Sequence, residues 1–230
     1  MKKLVTTFCA IAALVLVANA SFAANSVRIS QVYGGGGGTG AATYTQDYIE
    51  LFNASATPVN IGNWVVEYGS ATGNWGSSAG NYFVIPAGVS IQPCSYLLVT
   101  CGTVGTGGAA IPVTGDFNGA MNLSATGGKV GLFNALNANL ACGSELAGTL
   151  VDKVAYGTSN CAEGTAVAAT SITTGAVRNN GGLDDSDNNV ADFTLVTNPV
   201  PHNAASGQSA SCLTVPSTSS TWGQLKSIYR

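Results

Sequence analysis

From residue 27 onward the chain carries short apolar runs of four to eight residues, separated by glycine, asparagine, serine or proline. They are Val27–Tyr33, Tyr48–Phe52, Trp64–Tyr68, Tyr82–Ile85, Tyr96–Thr100, Lys129–Phe133, Leu150–Tyr156 and Phe193–Val196. Most are rich in Val, Ile, Tyr, Phe or Trp, which suit a pleated, half-buried surface. The turn residues between them predict an all-β sandwich or barrel. Before the last ten residues no window shows helical periodicity. In Tyr48-Ile49-Glu50-Leu51-Phe52 successive side chains alternate between faces, so Ile49 and Leu51 share one face and Glu50 shares the other with Tyr48 and Phe52. A carboxylate buried among aromatics would need a partner.

The two ends read differently. Lys2 and Lys3, the apolar stretch from Leu4 to Ala18 and the small-x-small triplet Ser21-Phe22-Ala23 form a secretory signal over residues 1–23, with Ala18-Asn19-Ala20 as an alternative cleavage site. About fifteen apolar residues fall short of the roughly 20 that a membrane-spanning helix needs, so no transmembrane segment is expected in the mature chain. One domain is expected over 25–205, then a Ser/Thr-rich linker over 206–220. Residues 221–230 form a short amphipathic tail with Trp222, Leu225 and Ile228 or Tyr229 at helical spacing. A sorting or surface-retention role, docking on the domain and a frayed end are all open to this tail.

Composition narrows the function classes. Charged residues make up 8% of the chain against an average near 25%, and there are 30 glycines, so folding leans on backbone pairing and turns. Without Lys2 and Lys3, six basic residues face eleven acidic ones and no basic cluster occurs. Direct nucleic-acid binding through phosphates is therefore not expected. The glycine run Gly34 to Gly38 joins two strands and opens no helix, so it reads as a flexible or tightly turning loop and not as a phosphate cradle.

Five cysteines follow the signal: Cys94, Cys101, Cys142, Cys161 and Cys212. Export makes disulfides the default over metal or redox chemistry. Cys94 and Cys101 flank a strand, which separates them by more than roughly 20 Å at about 3.3 Å per residue. That is too far for a bridge. Cys142 with Cys161 is the expected pair. The pairing of Cys94, Cys101 and Cys212 stays open, with at least one thiol left over.

Candidate catalytic groups are few. The one histidine, His202, lies in Pro201-His202-Asn203, and no Gly-x-Ser-x-Gly elbow accompanies it, so it reads as a surface residue. Asp47, Glu50, Glu67, Asp152 and Glu163 could supply paired carboxylates in principle, but structural hydrogen bonding explains them as well. The sharpest local motif is Asp185-Ser186-Asp187-Asn188-Asn189, which sets oxygen ligands from Asp185, Asp187 and Asn189 at the spacing with which calcium loops begin. Val190 stands where such loops carry glycine and Val196 where they carry a bidentate glutamate. Calcium and a metal-free Asx-type turn both remain open here.

Several separated motifs resemble one family in its own order. They are Val27-Arg28-Ile29-Ser30-Gln31-Val32-Tyr33 with its glycines, Gln46-Asp47-Tyr48-Ile49-Glu50-Leu51-Phe52-Asn53, Ile61-Gly62-Asn63-Trp64 and Gly128-Lys129-Val130-Gly131-Leu132. Val151-Asp152-Lys153-Val154-Ala155-Tyr156-Gly157, Cys161-Ala162-Glu163-Gly164 and Asp184 to Asn189 with Asp192-Phe193 follow. Together they resemble the bacterial exported form of the lamin tail domain over roughly residues 27–205. The resemblance implies an immunoglobulin-like β-sandwich used as an accessory or interaction module, found alone or beside extracellular nuclease, phosphatase or protease domains. Members often carry a further cysteine before the acidic loop, where this chain has Gly181-Gly182-Leu183. The expectation is a non-catalytic protein, secreted or at the cell surface, whose partner is an extracellular protein or a cell-envelope component. The alternative is an exported metal-dependent hydrolase, or an accessory subunit of an extracellular nuclease or phosphatase.

Overall fold

A computed structural model describes residues 26–213; the expected signal at 1–23, residues 214–220 of the expected linker and the tail at 221–230 lie outside the described residues. Twelve strands follow in order: β1 Val27–Tyr33, β2 Asp47–Asn53, β3 Val59–Asn60, β4 Val65–Ser70, β5 Tyr82–Val84 and β6 Ser90–Ile91. Then come β7 Tyr96–Cys101, β8 Phe117–Gly119, β9 Gly128–Phe133, β10 Leu150–Tyr156, β11 Thr174–Arg178 and β12 Phe193–Thr197. They build a six-stranded sheet in the order β12-β11-β1-β2-β7-β8, a four-stranded sheet β10-β9-β4-β5, and the small pair β3-β6. All pairings are antiparallel except β7 with β8. The architecture is the expected immunoglobulin-like sandwich.

The core follows from strand alternation. Ile29, Ile49, Leu51, Leu97 and Val99 from the larger sheet meet Val66, Val130, Leu132, Val154 and Tyr156 from the smaller one, all buried. Each such side chain contributes roughly 1.5–3 kcal/mol by leaving water. Yet every residue of β1 and β2 is buried, on both faces. An exposed outer face cannot give that pattern, so the larger sheet must carry a second cover.

That cover is the C-terminal segment 198–213, whose second half falls within the expected linker. It crosses β1, β2 and β7, and the Cys94–Cys212 disulfide holds its end. The smaller sheet is covered by the loops 71–81 and 134–149. These bury Trp75 against Phe133, ring centroids 5.4 Å apart, with the Cys142–Cys161 disulfide beside them. Gly131 leaves the room for this, because a Cβ there would sit 2.4 Å from the Phe133 ring.

The glycine run after β1 is packed rather than loose. A Cβ on Gly36 would lie 1.9 Å from the Gln46 carbonyl carbon, and one on Gly107 would lie 1.9 Å from the Gly38 carbonyl oxygen. Two glycine-containing loops, 34–40 and 105–108, thus meet backbone to backbone, joined by the Gly37–Gly107 bridge.

Candidate functional site

The densest polar cluster forms where two irregular strands meet. A bulge at Ser30 interrupts the β1–β2 register and another irregularity lies between Leu150 and Asp152 of β10. Asp152 reaches across the sandwich and its Oδ2 accepts the Ile29 backbone N–H at 2.6 Å and Arg178 Nη2 at 2.6 Å. Arg178 Nε donates in turn to the Ile29 carbonyl at 2.9 Å, and both side chains are buried. The pair therefore fastens β10 and β11 to the backbone of β1. Burial pushes the Asp152 carboxyl up while the Arg178 charge pulls it down.

Asp185 extends this cluster. Its carboxylate lies 3.2 Å from Arg28 Nε and 3.4 Å from Arg178 Nη1, and Arg28 also donates to the Leu183 carbonyl. Glu163 completes it, since ligand-capable oxygens of Asp152, Glu163 and Asp185 all lie within 4.8 Å of one another. Burial, reinforced by the Asp152 charge, pushes Glu163 up to about 8. Two arginines thus face Asp152 and Asp185, with Asp192 Oδ2 a further 3.9 Å from Arg178 Nη1, and the buried setting favours the protonated form of Glu163.

The three residues read as calcium ligands are distributed differently. Asp185 groups with Asp152 and Glu163, whereas Asp187 is exposed and takes a left-handed φ of 55°. Asn189 is fully buried. Its Oδ1 accepts the backbone N–H groups of Ala155 at 2.9 Å and Glu163 at 3.2 Å, and its Nδ2 donates to the Lys153 carbonyl at 3.0 Å. Inside the loop, Asp192 accepts from Ser186 N, Ser186 Oγ and Asn188 N at 2.6–3.3 Å. Burial pushes Asp192 up, but these bonds outweigh it and hold its carboxyl below the usual range. A carboxylate thus gathers the loop's donors from within, and that donor set fits a metal-free turn.

The other expected carboxylates are also committed internally. Asp47 accepts the Gly36 and Leu123 backbone N–H groups at 2.7 and 2.9 Å, though burial still raises it to about 6. Glu67 Oε1 accepts Asn137 N at 2.6 Å, and burial raises its carboxyl too. Glu50 finds partners that its strand could not reveal. Its Oε1 accepts Ser30 Oγ at 2.6 Å, while its Oε2 accepts the His202 backbone N–H at 2.5 Å and lies 3.1 Å from His202 Nδ1. His202, read as a surface residue, has a side chain 39% exposed and stacks on Tyr96 with centroids 4.5 Å apart. The Glu50 hydrogen bond raises its pKa.

Cys142 pairs with Cys161, and Cys94 with Cys212, leaving Cys101 as a buried thiol. Arg178 is the central residue that sequence reasoning missed. A lone arginine beside Val177 at the end of a small-residue strand carries no local signal, and its importance follows from meeting Asp152.

No helix among the described residues is long and apolar enough to cross a membrane. No curated protein matches the chain. A solved structure of a DUF4876 family protein from Bacteroides thetaiotaomicron is similar in fold, with a TM-score of 0.53 at 11% identity, covering 81% of this chain and 75% of that one. The family model described as Lamin Tail Domain matches residues 20–158, more than half of the chain. With the immunoglobulin-like sandwich that carries residues 26–158 of that stretch, this match makes the chain a member of the lamin tail domain family.

Proposed function

We propose that the chain is a non-catalytic exported module that contributes binding or surface architecture outside the cytoplasm, with an extracellular protein or a cell-envelope component as partner. The observation that carries this reading is where the chemistry-bearing side chains point. His202 is held to Glu50, Asp152 and Asp185 to arginines, and Asp47, Glu67 and Asn189 to backbone N–H groups. A general acid or base needs a side chain free to reach a substrate, and Asp47, Glu50, Glu67 and Asp152 are all buried. Two disulfides, with the apolar leader read from the sequence, support an oxidising compartment. Pull-down from cell-envelope extracts and rebinding of the purified domain to cells test it. Recovery of a specific partner together with cell association is expected, and failure of both overturns the reading.

The proximity of Asp152, Glu163 and Asp185 favours a second reading, an exported metal-dependent hydrolase or an accessory subunit of a nuclease or phosphatase. Turnover of DNA, phosphoesters or glycans that is metal-dependent and vanishes with Asp185→Ala and Glu163→Gln would establish it.

A further inference from the structure

Residues 198–213 lie across the outer face of the larger sheet and are fastened at successive points. The Pro199 carbonyl accepts Tyr44 Oη at 2.8 Å and the Val200 carbonyl accepts Gln31 Nε2 at 2.9 Å. Asn203 Nδ2 donates to the Thr114 carbonyl at 2.9 Å, and Ala204 N donates to Asp116 Oδ2 at 3.0 Å. Farther along, Ser209 N donates to the Cys94 carbonyl at 2.7 Å, and Cys212 is bonded to Cys94. At one end the segment continues from β12, and at the other it is covalently stapled. Its middle is held on Glu50 Oε2 by two groups of His202, the backbone N–H at 2.5 Å, which does not titrate, and the ring Nδ1 at 3.1 Å, which does.

We propose that this segment is a pH-responsive strap, clasped at its centre by the His202–Glu50 ion pair, which loosens when the imidazole loses its proton and uncovers the face of β1, β2 and β7. The geometry makes the middle the weak point. Glu50 is 1% exposed, so its charge is offset by its neighbours and not by bulk water, while the His202 ring is open enough to exchange protons with solvent. Beneath the ring lies a cavity of about 70 Å³, bounded by Ser30, Glu50, Tyr96, Arg178, Gly182 and others, which water can enter as the ring lifts.

The groups facing His202 all push the same way or are silent. Glu50 on β2 is the anionic partner. Tyr96 on β7 stacks as a neutral phenol, its own ionisation shifted further from neutrality by burial. Arg178 at the end of β11 borders the same cavity, but its guanidinium is engaged by Asp152, the Ile29 carbonyl and the Asp184 carbonyl. The sign is fixed by the raised His202 pKa. The ion pair's contribution is fully present below the unfolded histidine value of about 6.5 and is lost as pH rises through the higher folded value, which leaves the backbone N–H bond to Glu50 as the clasp's one remaining contact. Because Cys212 stays bonded to Cys94, opening raises a loop and does not release an end. The strap therefore recloses when the pH falls.

The chain has one histidine, so its imidazole resonance reports the clasp without ambiguity. An NMR titration between about pH 5 and 9 should place the His202 midpoint above the ordinary value of about 6.5. Amide exchange at Val200, His202 and Asn203, corrected for intrinsic base catalysis, should accelerate on passing that midpoint, by about tenfold for every pH unit that separates it from the ordinary histidine value. His202→Arg, permanently charged, should keep the strap protected throughout, and His202→Gln should leave it exchanging fast with no step. The proposal is overturned by a midpoint at or below the ordinary value, by no step in wild-type strap exchange, or by a step that persists in His202→Gln. Thermal melts of both variants report folding, and the unchanged resonances of the sandwich core keep the comparison valid where one variant is destabilised.

Discussion

Glu67 has one carboxyl oxygen on the Asn137 backbone N–H and another, Oε2, buried without a hydrogen-bond partner, one of two such side-chain atoms among the described residues. A buried oxygen without a donor favours the protonated form, which is why burial raises this carboxyl. Glu67→Gln retains the acceptor for Asn137 and removes the charge. It should remove the part of the pH dependence of stability that Glu67 contributes, read from denaturant midpoints at several pH values. Asn189 tests the opposite case, a buried amide whose every polar atom is used. Asn189→Ala should cost roughly 1–3 kcal/mol with calcium or chelator alike, because it strands backbone N–H groups of Ala155 and Glu163. Asp187→Asn should be near neutral, and the wild-type melting temperature should not differ between calcium and chelator.

Among the elements, the strap and the loops over the smaller sheet do what a larger sandwich would do with further strands. The strap closes a long loop, since Cys94 and Cys212 are 118 residues apart, against 19 for Cys142 and Cys161. In the chain-entropy account, a loop of that length is worth about 4–5 kcal/mol and the shorter one about 3 kcal/mol. Replacing both Cys94 and Cys212 with serine should therefore lower stability more than replacing Cys142 and Cys161, as measured by chemical denaturation of the two double variants. Trp75→Ala should cost about 3–5 kcal/mol, because the loop that buries this ring against Phe133 cannot collapse into the gap.

For the whole molecule, the titrating groups combine to a direction. Asp47, at about 6, and Glu163, at about 8, both bind their protons more tightly folded than unfolded, as do Glu67 and Asp152. A raised carboxyl favours the folded state as pH falls, and the raised His202 does the same. Asp192 and Glu145 oppose them, but their pKa values are depressed and their loss begins only at lower pH. The melting temperature should therefore rise as pH is lowered from 8 to about 5, and Glu163→Gln should flatten the upper part of that profile.

Strand periodicity alone determined eight strands, because alternating Val, Ile, Tyr and Phe bounded by turn residues is a local property. Thr174–Arg178 carries no such pattern although it pairs on both sides, since a strand of small residues owes its place to β1 and β12 and not to its own apolar surface. The two-residue pair β3 and β6 and the parallel β8 are likewise held by neighbours. The need for a partner at Glu50 was legible from its face of the strand, but the partner, 152 residues away, was not. Only tertiary structure decided that the Asp185-to-Asn189 run divides its oxygens among arginines, solvent and backbone donors, and that residues 206–213 return to cover a sheet. The physical reason is the same in each case. Backbone alternation is encoded within a few residues, whereas which buried charge meets which counter-charge depends on chain segments that touch only after the sandwich has closed.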